Sequence, residues 1–118
     1  MRQINLKPEE ETFHQFIDLN VATFEAGHLD AAYHTLAAAL HWARDFSKAE
    51  WLTQVEDLAN KQQSWIDQND ARYHHSTQSA EKRGNPAILR QLARKCQTAK
   101  SIISTASRVE RMTEARSS

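Results

Sequence analysis

In 118 residues the chain has two glycines, Gly27 and Gly84, and two prolines, Pro8 and Pro86. With so few breakers, long runs of Ala, Gln, Glu, Lys, Arg and Leu go uninterrupted, and these side chains lose little freedom on entering a helix. No run shows the apolar-polar alternation of a half-buried strand. The expected fold is therefore all-α: a four-helix antiparallel bundle, or a hairpin-based helical domain with long third and fourth helices, in one domain spanning 1–118.

The punctuation places the helices. Pro8 suits a first helical position, and Glu9, Glu10 and Glu11 put negative charge at the positive end of the helix dipole. Phe13, Phe16, Ile17, Asn20 and Phe24 follow on one stripe, and Gly27 ends a helix expected over 8–26. Leu29, Ala32, Tyr33, Leu36, Ala39, Leu40 and Ala43 make a second, most buried helix over 29–45. Ser47 and Glu50 have the spacing of a capping box for a third helix over 48–68, whose inward face is Trp51, Leu52, Val55, Leu58, Ala59, Gln62, Trp65 and Ile66. The polar stretch 67–84 reads either as an extension of that helix to about 82 or as a flexible connection. Asn85 and Pro86 open a last helix over 86–110, with Leu89, Leu92, Cys96, Ala99, Ile103 and Ala106 inward and a fraying tail from Arg111.

Equal numbers of acids and bases, 15 each, conceal a division. Residues 1–81 carry 13 acids and 6 bases, while 82–118 carry 9 bases and 2 acids. Such a chain can satisfy its basic end internally or with a second copy, so an external acidic partner is the weaker expectation. The longest run without a charge, from Ala31 to Ala43, is too short to cross a bilayer, and the first residues, MRQINLKPEEE, lack the apolar run of a secretory leader. One cysteine, Cys96, forms no internal disulfide and falls on an apolar stripe. The expected setting is cytoplasmic, without a membrane.

Residues 13–46 resemble a single tetratricopeptide repeat, a helical hairpin of 34 residues. Phe16 and Leu19 stand at the family's aromatic and leucine positions, and Gly27, Ala32, Leu36, Ala39 and Leu40 at its turn and second-helix positions. The resemblance implies a protein-binding role without catalysis. The next 34 residues do not repeat the pattern, and one repeat alone does not bury its faces, so the hairpin is expected to be half of a closed bundle. His34-Thr35-Leu36 is similar, more weakly, to the start of the histidine phosphotransfer motif, which implies His34 as a phosphoryl carrier. Ala37 and Ala38 replace that motif's lysine and glycine.

Six histidines invite a metal reading, but no two of them stand at the i, i+4 spacing that clasps zinc, and His74 and His75 diverge if helical. Solvated or hydrogen-bonded histidines, and no metal or cofactor, are expected. Glycine-poor sequence offers no phosphate loop or nucleophile elbow, so an enzyme is not expected. The function expected is a non-catalytic protein-interaction, scaffold or regulatory module, self-associating, with Trp65, Tyr73, Arg90, Arg94, Lys95, Lys100 and Arg108 as binding residues. Two alternatives accompany it: phosphotransfer through His34, and nucleic-acid binding along the five bases of the last helix.

Overall fold

Proline at the first turn and three glutamates behind it start α1, Pro8–Glu25, which is followed by α2, Leu29–Asp45; α3, Ala49–Asn69; α4, Thr77–Lys82; and α5, Ile88–Ser117. The computed structural model describes residues 7–70 and 72–117, without the Ser117 side chain, and the expected absence of a leader falls largely on positions outside them. Among the described residues there is no strand, and the fold is an all-α helical bundle. No helix is long and apolar enough to cross a membrane.

Three helices end in the same way. The amides of Gly27 and His28 bond back to Phe24 and Thr23, those of Ser47 and Lys48 to Arg44 and Ala43, and those of Gly84 and Asn85 to Glu81 and Ala80. Each is a Schellman closure, which requires a left-handed residue, and φ is +84° at Gly27, +73° at Gly84 and +52° at Ser47. Ser47 therefore closes α2 rather than opening α3. The cap residue of α3 is Lys48, with no capping side-chain bond, so the expected Ser47–Glu50 box gives way to the closure of the preceding helix.

Phe13, Leu36, Leu40, Leu52, Val55, Ile66, Leu92 and Cys96 form the centre of one core, shared by α1, α2, α3 and α5. Alanines 32, 39, 43 and 59 are buried between the helices, where a small side chain permits close crossing. Trp51 stacks on Phe13, with ring centroids 4.7 Å apart and planes 9° from parallel. Trp42 donates from Nε1 to the Glu9 carbonyl at 2.9 Å. Both indoles thus serve the fold, whereas Trp65, expected inward, is 46% exposed.

α1 pairs with α2, α3 lies against both, and α5 pairs with α3 and touches α2; among the described residues nothing joins α1 to α5. The bundle is open rather than closed, a slab of 59 × 46 × 17 Å. Bonds from Arg90 to Asn60, Gln97 to Glu56 and Lys100 to Thr53 show that α5 runs antiparallel to α3. At Lys100 the pairing has come within four residues of the α3 start at Ala49. The rest of α5, helical to Ser117 instead of fraying at 111, overhangs. Ala106, expected inward, is exposed because it has no helix beneath it.

The described residues of 67–84 form neither one helical extension nor a loop without structure of its own. α3 ends at Asn69, residues 72–76 form turns, and α4 follows, capped by Ser76, whose buried hydroxyl accepts from the Ser79 amide at 3.0 Å. α5 opens at Ile88, two residues later than expected.

Candidate functional site

Two surfaces bring chemically active side chains together: the outer face of α5, and the turn between α3 and α4 where it meets the start of α2. On α5, the basic residues divide. Arg90 bonds Asn60 at 2.8 Å, and Lys100 sits 2.6 Å from Glu56, which the Lys100 bond holds below its ordinary range against the opposing effect of burial, with help from Gln97. These two cations are engaged in fastening α5 to α3. Arg94 and Lys95 are exposed and line a shallow groove with Arg44, Thr98 and Ile102, and Arg108 stands exposed on the overhang.

Beyond Ala99 a second stripe appears. Ile102, Thr105, Val109 and Met112 recur at spacings of three and four on a face about 130° from the inward stripe of Leu92, Cys96, Ala99 and Ile103. Ile102, Val109 and Met112 are each more than half exposed. Cys96 lies wholly inside, its thiol pushed up to about 12, chiefly by burial. Trp65 leans edge-on against Phe24 and lines a groove of about 310 Å³ with Val21, Leu58 and Lys61.

The turn after α3 is built from α3 itself. Asp67 accepts from the Thr77 amide at 2.7 Å and from its hydroxyl at 2.6 Å, and Gln63 donates to the His75 carbonyl at 3.2 Å. Burial would raise the Asp67 carboxyl, but the Thr77 and Gln63 bonds outweigh it and hold the group below its ordinary range. Arg83 reaches back to the His74 carbonyl. So pinned, the turn presents Tyr73, His74 and His75 to Asp30 in the first turn of α2. The Tyr73 hydroxyl donates to Asp30 Oδ1, and the Nε2 atoms of His74 and His75 are each 3.7 Å from that oxygen. Tyr73 lowers the Asp30 carboxyl, assisted by the histidines, while burial and the Asp30 bond raise the Tyr73 hydroxyl well above its usual range. Burial lowers the His75 imidazole, aided by His74.

The two histidines do not diverge, because they lie in a turn and not on a helix. Sequence reasoning missed Asp30 as their companion, since it stands 44 positions before His74. His34, one helical turn beyond Asp30, is exposed and close enough for its charge to act on Asp30 and His75. Ala37 and Ala38, at the positions where a phosphotransfer site would offer lysine and glycine, are half-buried. Comparison of the chain with protein-family models, with curated proteins and with solved structures found no match in any of the three.

Proposed function

We propose that the protein is a non-catalytic interaction module that associates with a second copy of itself through the overhanging half of α5. The observation that carries the reading is the exposed stripe of Ile102, Val109 and Met112 on a helix that outruns the one it packs against. Three large apolar side chains at coiled-coil spacing on a solvated helix favour another helix as their cover.

A second copy suits this face because the overhang mixes charge signs. Arg108, Arg111 and Arg116 alternate with Glu110 and Glu114, so two such helices laid antiparallel meet without a single-sign clash. The pairing also brings each basic C-terminal segment toward the partner's acidic body. α3 and α5 form a second helical hairpin stacked on the tetratricopeptide-like one of α1 and α2. The nucleic-acid reading is weaker, since Arg90 and Lys100 are spent on α3 and the row of free cations is broken. A reducing, cytoplasmic setting fits a lone buried thiol.

Sedimentation equilibrium tests the reading. The wild-type chain is expected to sediment as a dimer, and Val109→Asp with Met112→Asp as a monomer with unchanged helicity, because both residues are exposed in the single chain. A wild-type monomer at the highest soluble concentration would overturn it.

A further inference from the structure

The pinned turn after α3 carries an inference independent of self-association. Asp30, His74 and His75 offer three metal-ligating groups whose donor atoms all lie within 4.8 Å of one another. For bonds of ~2.0–2.1 Å, donors on a tetrahedral ion are ~3.3 Å apart, so the two 3.7 Å separations need only a few tenths of an ångström of closure. Two imidazole nitrogens with one carboxylate oxygen suit a borderline transition metal, and are a poor match for calcium or magnesium, which take mostly oxygen.

We propose that Asp30, His74 and His75 bind a divalent transition-metal ion of the zinc class, with water completing its coordination. His34, one turn further along α2, shares a face with Asp30 but is not part of the cluster. Three further features mark a built site. The Tyr73 hydroxyl holds the Asp30 carboxylate, as outer partners commonly hold a ligating group. The backbone that bears the imidazoles is anchored by Gln63 at His75 and by Asp67 at Thr77. The His75 side chain is only 26% exposed, so packing restricts where its ring can point. Among the charged groups facing the cluster, Arg83 opposes a cation, while Asp70, on the hollow that opens beside Tyr73, favours one. A bound ion would clip the start of α2 to the α3–α4 connection and so tie the two hairpins to each other.

Cobalt(II) and zinc(II) are the probes. Titrated into the metal-stripped full chain at neutral pH, one equivalent of cobalt(II) is expected to give the intense visible bands of a tetrahedral site. Zinc(II) is expected to displace them and to raise Tm. His74→Ala with His75→Ala should abolish the bands while keeping the circular dichroism of the parent, since His74 is exposed and His75 three-quarters buried beside solvent. His34→Ala should leave the bands in place, and Tyr73→Phe should weaken affinity roughly tenfold. Absence of tetrahedral bands, or bands of equal strength in the double histidine variant, would overturn the proposal. Should that variant not fold, Asp30→Asn, at an exposed position, gives the same reading.

Discussion

Asn20 and Gln62 are wholly or almost wholly buried, and each amide satisfies the other: Gln62 Nε2 donates to Asn20 Oδ1 at 2.6 Å, and Asn20 Nδ2 donates to Gln62 Oε1 at 3.3 Å and to the Ala32 carbonyl at 2.7 Å. One polar knot thereby joins α1, α2 and α3. Asn20→Ala strands the Gln62 amide and is expected to destabilise the fold by about 2–3 kcal/mol in urea unfolding. Asn20→Leu with Gln62→Leu should cost less than the two single changes together, because no amide is then left unpaired. At Ser47 the left-handed backbone penalises any side chain, so Ser47→Gly is expected to stabilise by about 1 kcal/mol, read as a rise in Tm. A true N-cap at that position would lose stability on the same change.

Among the elements, two carboxylates hold the second half of the chain onto α3: Glu56 grips Lys100 and Gln97 of α5, and Asp67 grips Thr77 at the start of α4. Both carboxyls lie below their ordinary values of 4.5 and 3.8 in the folded chain. A depressed folded value means that the contribution to stability is complete above the ordinary value and is lost as pH falls through the folded one. The expected result is a loss of denaturant resistance that begins near pH 4.5 and continues downward, and that is smaller in Glu56→Gln and in Asp67→Asn than in the parent. An acid limb of equal size in all three chains would show that other groups govern it.

Taken whole, the molecule is a slab 17 Å thick, so most helices present an outward face, and the overhang of α5 extends past the core. Ending the chain after Ser104 is expected to leave Tm within a few degrees of the parent while abolishing the dimer, because among the described side chains beyond it only Ser107 is even partly covered. A large fall in Tm together with loss of association would instead mean that folding and pairing are one event.

The sequence alone determined the helical class, the bounds of the first two helices and the buried stripe of α2, because glycine-poor runs with 3.6-residue periodicity leave a chain few other ways to hide its apolar side chains. It also marked the single polar member of the first stripe, Asn20, though not its partner, Gln62, 42 positions away. Long-range pairing decided the rest. Whether Ser47 closes one helix or opens the next depends on which set of backbone groups captures it. Where α5 leaves the core depends on where α3 begins, and whether His74 and His75 converge depends on how Asp67 and Gln63 fold the turn. No local pattern records such meetings, since each joins segments whose spacing in sequence has no period, and the candidate metal cluster exists only because the tertiary fold lays that turn over Asp30.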